Sequence, residues 1–303
     1  MKNITVLLLA SLISTAAGQS QEKQFVVQKN VVSTENLLSE NIEKKLAKEI
    51  YQAVKVKVPL APISLKLPRE TNLDYGYRIQ AAFDKLMSKD YGLVTGYKMA
   101  YASLASQKKW GIPEPVSGTF MTKQQVLSGG KVLLDTFMGF HIETEIVFTL
   151  KKKVDKLIKT IDQLMPYIQS VHVGLDVPDL RYDTSKGKLT PLDVVAMSCG
   201  THTYVIGKGV EPDRIDYNKI QLTLKRNNDL VYEGKATNVL GDPRESLRLL
   251  SNRLFSEGRP LKSGQFVFTG SVAGAYKGKN PLKNVGLYLG EASGLPPVRL
   301  YVE

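Results

Sequence analysis

The sequence predicts an α+β domain whose sheet is mostly antiparallel and rolled or barrel-like. Segments with the side-chain alternation of a strand follow one another in runs, instead of alternating singly with helices. Apolar residues at helical spacing are segregated early and late in the chain. No internal repeat or low-complexity segment indicates a solenoid or a fibrous protein. Runs of strands with segregated helices are typical of α+β domains, so we expect separate helical and sheet layers around a shared core.

The composition is that of an ordinary globular protein, with 43% hydrophobic and 23% charged residues in a chain of 303. The formal charge of +12 would allow an acidic partner, but the lysines are scattered. The one tight run, Lys151–Lys153, has no interleaved aromatic residues and is interpreted as a solvated turn, so no nucleic-acid partner is expected. The sole cysteine, Cys199, excludes an internal disulfide.

Residues 1–18 have the pattern of a secretory signal peptide. Lys2 precedes the apolar run Ile4–Ile13, and small residues follow up to Gly18. The run is too short to span a bilayer, and no other stretch is long and apolar enough, so no membrane span is expected. Cleavage after Gly18 would deliver the protein to the periplasm or the extracellular space.

Behind the signal peptide we expect a flexible lead-in over residues 19–38, because this segment is polar and lacks clear periodicity. A single domain is expected over residues 39–303. Its first part, residues 39–90, is predicted to be helical, and residues 91–303 are predicted to form the rolled sheet.

Two helices are predicted in the first part of the domain. The first lies within residues 40–55, and its apolar positions are Ile42, Leu46, Ile50 and Val54. Prolines within residues 58–68 predict an extended linker over a surface. The second helix contains Leu73, Tyr77, Gln80, Ala81 and Leu86.

The middle of the chain predicts four strands and one helix. Leu93–Ala102 is a strand, and a turn-rich segment then leads to a short strand near Gly118. His141–Leu150 is a strand, an amphipathic helix is expected from Asp155 to Ile168, and Ser170–Val177 alternates as a further strand.

The last third predicts a hairpin, a capped helix and three strands. Strands at residues 220–225 and 230–237 flank the turn sequence that begins at Asn227. Asp242 is a predicted N-cap followed by Pro243, and Gly258 ends this helix. The final strands are expected at residues 265–272, 284–289 and 297–302.

Two carboxylates interrupt the apolar strand at His141–Leu150. Glu143 and Glu145 point to the same face, about 6.6 Å apart along the chain. On a solvated strand edge this would have no functional meaning, whereas in a pocket each would raise the other's pKa unless a cation lay between them. Asp176 is a third carboxylate near a strand end, and such an all-oxygen set suits Mg²⁺ or Mn²⁺. Spacing alone leaves both interpretations open.

The other candidate groups in the sequence are weaker evidence for a functional site. Lys98 lies in an apolar strand, where a buried lysine would need an anionic partner and a strand-edge lysine would not. His141, His172 and His202 are not at zinc-ligand spacing. The chain has no Gly-x-Ser-x-Gly elbow and no glycine-rich phosphate loop after a predicted strand.

Six motifs in a fixed order point to a known family. They are Gly96-Tyr97-Lys98-Met99, Gly111-Ile112-Pro113-Glu114-Pro115 with Gly118, Glu143-Thr144-Glu145-Ile146-Val147-Phe148, Gly174-Leu175-Asp176-Val177-Pro178-Asp179-Leu180-Arg181, Val239-Leu240-Gly241-Asp242-Pro243 and Phe268-Thr269-Gly270-Ser271. With these motifs the chain resembles the 2-keto-4-pentenoate hydratase and 4-oxalocrotonate decarboxylase family, within the fumarylacetoacetate hydrolase superfamily. The likeness runs from Tyr77 to the C-terminus.

The resemblance implies a fumarylacetoacetate hydrolase-like mixed β-sandwich or roll with a helical N-terminal region. It implies that Mg²⁺ or Mn²⁺ is held by Glu143, Glu145 and Asp176, that Lys98 is the catalytic lysine, and that Thr269 and Ser271 contact the substrate. The substrate would be a small 2-oxo or 2-hydroxydienoic acid from aromatic catabolism, and we expect a homo-oligomer.

The resemblance implies a hydratase that adds water to a 2-hydroxy-2,4-dienoate through a metal-stabilised enolate. Two departures from the hydratase pattern keep alternatives open. Val116 and Ser117 stand where hydratases tend to have an acid, which favours a 4-oxalocrotonate-type decarboxylase. Met197 and Ser198 replace a usual Asp-Asn pair, and together with Val116 they favour an exported, non-catalytic 2-oxo-acid-binding protein.

A third alternative is an acylpyruvase-type hydrolase. It would need a group that activates water, and the only nominees are His141 and Glu114.

Overall fold

The computed structural model describes residues 34–68, 71–279 and 281–303. The predicted signal peptide and residues 19–33 of the predicted lead-in lie outside the described residues. The first helix begins at Thr34, which is inside the segment expected to be a flexible lead-in. Of the helices in the described ranges, none is long and apolar enough to cross a membrane.

The described residues form six α-helices and eleven strands. The helices are α1 (Thr34–Val56), α2 (Leu73–Tyr91), α3 (Leu104–Trp110), α4 (Ile161–Leu164), α5 (Pro191–Ala196) and α6 (Pro243–Ser256). The strands are β1 (Val94–Ala100), β2 (Val116–Met121), β3 (Gly130–Val132), β4 (Glu143–Leu150), β5 (Ile168–Val177), β6 (Thr203–Ile206), β7 (Gln221–Arg226), β8 (Asp229–Lys235), β9 (Phe266–Phe268), β10 (Gly286–Ala292) and β11 (Leu295–Val302).

The strands make two sheets, and both are mostly antiparallel as predicted. The six-stranded sheet has the order β2-β1-β9-β4-β5-β6, in which only β1 and β9 are parallel. The five-stranded sheet has the order β3-β11-β10-β7-β8, in which only β3 and β11 are parallel. Strand β4 therefore lies in the interior of its sheet and not at an edge.

The main core lies between the two sheets. Val173 and Leu175 of β5 are fully buried, and they belong to one apolar cluster with Val298 and Leu300 of β11. At Gly290 a Cβ would lie 3.0 Å from the Leu175 Cδ2 atom, so the sheets approach closely there. This packing buries the apolar side chains on the inner face of β5.

The helical layer has a second apolar cluster of its own. Ile50 of α1 and Ile79 and Phe83 of α2 are buried in it, together with Leu192 of α5 and Met121 at the end of β2. Helices α1, α2 and α5 therefore cover the β2 side of the six-stranded sheet. This matches the predicted helical N-terminal region, with α5 as an addition.

The predicted helix from Asp155 to Ile168 is wrong. Only the short helix α4 forms there, followed by a 3₁₀ turn that contains Pro166. Residues 151–160 are irregular instead, and Val154 and Ile158 of this segment are fully buried. Asn252 of α6 holds this segment, because its Oδ1 accepts from the Ile158 N–H at 2.7 Å and its Nδ2 donates to the Ile158 carbonyl at 2.8 Å.

The turn and cap predictions in the last third are confirmed. Asn227 and Asn228 link β7 and β8 with φ values of 49° and 74°, as a tight two-residue hairpin turn requires. Asp242 caps α6 by accepting from the Arg244 N–H at 2.9 Å. Local side-chain chemistry decides both features, so they can be recognised in the sequence.

Helices α3 and α5 and strands β3 and β6 were not predicted. Both helices have capping residues that can be recognised in the sequence. Ser103 accepts from the Ser106 N–H at the start of α3, and Gly111 ends α3 with a φ of 65°. Thr190 and Asp193 form a capping box on α5, with Pro191 at its first position. Strands β3 and β6 are only three and four residues long, which is too short for a period to be seen.

Candidate metal centre and the adjoining cavity

Three carboxylates meet on neighbouring strands of the six-stranded sheet. Glu143 of β4 is the register partner of Asp176 of β5, and Glu145 is the partner of Gly174. Each of the three residues offers a carboxylate oxygen, and these oxygens lie within 4.8 Å of one another. The sequence placed the two glutamates on one face, and the strand pairing adds Asp176 to that face.

This cluster is not a solvated strand edge. Glu145 and Asp176 are fully buried, and Glu143 is half-buried. Glu145 Oε2 accepts from the Gly270 N–H at 2.6 Å. Glu145 Oε1 and Asp176 Oδ1 have no hydrogen-bond partner among the described residues. Buried carboxylate oxygens without partners are costly, so the geometry fits a cation held between these side chains.

Lys98 of β1 reaches the same cluster. The residue is 2% exposed, and its Nζ forms an ion pair with Asp176 Oδ2. Burial alone would lower the pKa of Lys98, but the nearby charges of Asp176 and Glu143 raise it above the usual value. Lys98 is therefore a buried, protonated lysine, which decides between the two interpretations that its sequence context allowed.

One ammonium does not balance three carboxylates. Burial raises the pKa of Glu143 to about 7, with Lys98 opposing the rise and Asp176 adding to it. Burial and the charge of Glu143 also raise the pKa of Glu145 well above its usual value. A divalent cation would supply the missing positive charge and hold all three groups ionised.

A cavity of about 1020 Å³ opens over the cluster. Lys98 and Glu143 line it, together with Ser271, which hydrogen-bonds the Glu143 carboxylate. Thr269 is placed differently. Its side chain is 1% exposed and its Oγ1 donates to the Ile146 carbonyl at 3.1 Å, so it fixes the backbone beside Glu145. A substrate contact by Thr269 stays a prediction.

The two nominees for water activation have different surroundings. His141 lines the cavity, and its Nδ1 lies 2.9 Å from the Gly139 carbonyl oxygen. Glu114 is exposed and does not belong to the cavity lining. Val116, one of the two departures from the hydratase pattern, is 1% exposed and packs in an apolar cluster with Val195 and Cys199.

Sequence reasoning missed the outer wall of the cavity. Tyr101, Leu104 and Trp110 line it, and they come from the end of β1 and from α3. The rings of Tyr101 and Trp110 lie 5.1 Å apart between centroids. The sequence did contain a signal for this wall. Ser103 and Gly111 mark the start and the end of α3, which follows directly after the strand that carries Lys98.

Comparison with known families agrees with this geometry. The family profile described as fumarylacetoacetate (FAA) hydrolase C-terminal matches residues 93–292. The chain belongs to the fumarylacetoacetate hydrolase family. The matched range contains Lys98, all three carboxylates and the outer wall of the cavity.

Within the fumarylacetoacetate hydrolase family, two groups of relatives are similar to the chain. A 2-keto-4-pentenoate hydratase of Paraburkholderia xenovorans (strain LB400) is 24% identical over 227 residues, which cover 75% of this chain and 83% of the relative. A 4-oxalocrotonate decarboxylase of Pseudomonas sp. (strain CF600) is 26% identical over 217 residues, which cover 69% of this chain and 81% of the relative. The resemblance inferred from the motifs is confirmed.

The fold has a close counterpart among solved structures. The 4-oxalocrotonate decarboxylase from Pseudomonas putida G7, complexed with magnesium and adipate, superposes with a TM-score of 0.79 at 22% identity. The match covers 87% of this chain and 98% of that structure. The predicted fumarylacetoacetate hydrolase-like fold with a helical N-terminal region is therefore confirmed.

Proposed function

We propose that the protein is a metal-dependent carbon lyase that adds water to a 2-hydroxy-2,4-dienoate or a related 2-oxo acid. The observation that carries the proposal is the buried cluster of Glu143, Glu145 and Asp176, with Lys98 beside it, at the floor of a cavity. Hydratases named for such substrates are among the relatives of the chain. The decarboxylase relatives are lyases too, so both groups support a lyase.

Glu143, Glu145 and Asp176 would hold Mg²⁺ or Mn²⁺, because all three supply hard oxygen ligands. When bound, the cation supplies positive charge to the carboxylate and 2-oxygen of the substrate. The solved decarboxylase relative is complexed with magnesium, which is consistent with this choice of ion. Gly270 fixes one carboxylate oxygen of Glu145 and leaves the other one free for the ion.

Lys98 would act on the substrate directly. Its raised pKa keeps a proton on Nζ, and it lines the cavity beside Glu143. A protonated amine at this place can neutralise charge that develops on the substrate or donate a proton to it. Ser271 would orient Glu143 through their hydrogen bond.

A decarboxylase on the same scaffold is the second candidate. Hydration needs a group that activates water, whereas loss of carbon dioxide does not. The observation that favours decarboxylation is Val116, which is buried among apolar side chains where an acid would serve a hydratase. His141 is the cavity residue that could take over water activation.

The experiment that tests the proposal uses two chromogenic acids. Purified protein with Mg²⁺ is incubated with 2-hydroxypenta-2,4-dienoate and, separately, with 4-oxalocrotonate. Loss of the first chromophore supports hydration, and loss of the second with release of carbon dioxide supports decarboxylation. Loss of neither, together with a ligand-dependent rise in melting temperature, would support a non-catalytic 2-oxo-acid-binding protein instead.

We also propose that the protein is exported and forms a homo-oligomer. The signal pattern of residues 1–18 supports export. N-terminal sequencing of the protein purified from its native compartment should begin at Gln19, and an intact Met1 would contradict export. Light scattering after size-exclusion chromatography tests for the oligomer.

A further inference from the structure

We propose that the natural substrate is a monocarboxylic acid with a bulky apolar tail, and that a second carboxylate at the far end is disfavoured. This inference rests on the proposed function, because it assumes that the 2-oxo acid group binds at the carboxylate cluster. It goes further by assigning the outer part of the cavity to the tail of the substrate.

The size of the cavity is the first support. At about 1020 Å³ it matches the upper end of pockets that enclose drug-sized ligands. A short dienoic acid bound at Lys98 and Glu143 would leave most of this volume unfilled. The remaining space fits a substituent of the size of an aromatic ring or a long alkyl chain.

The chemistry of the lining changes along the cavity. Lys98, Glu143 and Ser271 form its polar floor. Tyr101 comes three residues after Lys98 in the chain, and at the rise of an extended strand its Cα lies about 10 Å from that of Lys98. From Tyr101 the wall continues along α3 and across to α5, and its apolar side chains are Tyr101, Leu104, Trp110, Leu189, Val194 and Met197. An apolar tail that leaves the metal centre would therefore contact apolar surface.

The cavity lining has few positively charged groups that could bind a second carboxylate. Among the described residues that line the cavity there is no arginine, and the basic side chains are Lys98, Lys109 and His141. Lys98 is paired with Asp176, and one ring nitrogen of His141, Nδ1, lies 2.9 Å from the Gly139 carbonyl oxygen. Lys109 is exposed at the rim, where an ion pair across water contributes little. Asp179 also belongs to the lining, and its carboxylate forms an ion pair with the buried Arg181.

The backbone holds the wall in a strained shape. Tyr101, Cys199 and Leu240 line the cavity and have φ values of 57°, 52° and 52°, in the left-handed region that non-glycine residues rarely adopt. The Leu240 N–H donates to the Ala102 carbonyl at 3.1 Å. Such strain persists only where neighbouring contacts impose it, and it accumulates at ligand sites. The aromatic wall is therefore built in advance of binding.

The test measures binding of saturated 2-oxo acids, which have no carbon–carbon double bond for the enzyme to hydrate, to the full protein with Mg²⁺. The series is 2-oxobutanoate, 2-oxooctanoate and 2-oxooctanedioate, which have the same 2-oxo acid group. Calorimetry should show at least tenfold tighter binding of 2-oxooctanoate than of 2-oxobutanoate, because each buried methylene adds to affinity. 2-Oxooctanedioate should bind at least tenfold more weakly than 2-oxooctanoate.

A matched pair of variants tests whether the preference for a long tail arises at the apolar wall of the cavity. Leu104 is 75% exposed at the cavity and Leu127 is 77% exposed elsewhere, so neither is needed for folding. Leu104→Asp should collapse the preference for 2-oxooctanoate over 2-oxobutanoate, and Leu127→Asp should retain it. Trp110→Arg should shift the preference toward 2-oxooctanedioate.

The outcomes separate this inference from the proposed function. Equal affinities across the series, or a preference for the diacid, would overturn the inference even if the protein turns over dienoates. A strong tail dependence without any turnover would support the inference and contradict the lyase. If no 2-oxo acid binds in the presence of Mg²⁺, both are wrong.

Discussion

Glu143 and Asp176 are register partners on adjacent antiparallel strands, and their carboxylates meet beside a buried lysine. The connection between strands β4 and β5 spans residues 151–167 and includes α4, so no tight turn brings the two side chains together. Lys98 supplies a single positive charge for the three carboxylates of the cluster, so a bound cation would complete the charge balance. The metal centre is thus a consequence of strand register.

Replacing Lys98 should separate catalysis from metal binding. Lys98→Met is expected to reduce kcat by about 10²–10⁴-fold, the range for loss of a positioned acid or base. Affinity for Mn²⁺ should stay the same or increase, because removal of a positive charge favours a cation. Steady-state kinetics and Mn²⁺ titration measure the two effects, with Lys98→Arg as the charge-retaining control. Unchanged turnover in Lys98→Met would rule out its proposed role.

Asp84 should make folding stability depend on pH. Burial raises the pKa of Asp84 to about 7, against hydrogen bonds from Thr119 and Ser198 that lower it. A folded-state pKa above the unfolded value gives stability that is complete below pH 3.8 and is lost as pH rises through 7. Asp84→Asn should therefore stabilise the fold by about 1–3 kcal/mol at pH 8 and much less at pH 5.

Urea unfolding at the two pH values measures this difference. Asp90→Asn is the control, since the hydrogen bond from Tyr51 lowers the pKa of Asp90. Its substitution should give no stabilisation at pH 8. Equal effects of Asp84→Asn at pH 5 and pH 8 would contradict the raised pKa of Asp84 in the folded protein.

Gly174 should tolerate no side chain. A Cβ there would lie 2.4 Å from Phe268 Cε1 and 2.5 Å from Val147 Cγ2, inside the packed core. Gly174→Ala should destabilise the fold by about 1–3 kcal/mol. It should also weaken metal-dependent stabilisation, because Gly174 lies two residues from Asp176 on β5.

Gly187→Ala is the control for Gly174→Ala. Its Cβ would contact only the flexible end of the Leu65 side chain, which is 60% exposed and can move. Thermal melts with and without Mg²⁺ compare the two variants. Similar melting temperatures for both would show that β5 is less tightly packed than the structure indicates.

The sequence predicted best those turns and helix ends that depend only on neighbouring residues. The Asn227 turn and the Asp242 cap need only neighbouring residues, and both are confirmed. The helix predicted from Asp155 to Ile168 is wrong because Asn252, distant in sequence, binds the backbone of Ile158 and holds that segment in an irregular conformation. Apolar spacing alone does not reveal such a partner.

For the candidate site too, the sequence predicted what neighbouring residues decide and missed what depends on distant parts of the chain. Strand alternation placed Glu143 and Glu145 on one face, but it could not say whether that face was wet. The answer depends on β9 and β5, which flank β4 and come from distant parts of the chain. The aromatic wall at Tyr101 and Trp110 was missed for a related reason, since it exists only where α3 packs near α5.

The most direct test of the metal centre is calorimetric titration of Mn²⁺ into the protein and into Glu143→Gln and Glu145→Gln. The control is Glu233→Gln, an exposed glutamate on β8. We expect one high-affinity site in the unmodified protein and in the control, together with a metal-dependent rise in melting temperature. Both effects should be lost in Glu143→Gln and in Glu145→Gln. Full Mn²⁺ affinity in both of these variants would contradict the metal centre.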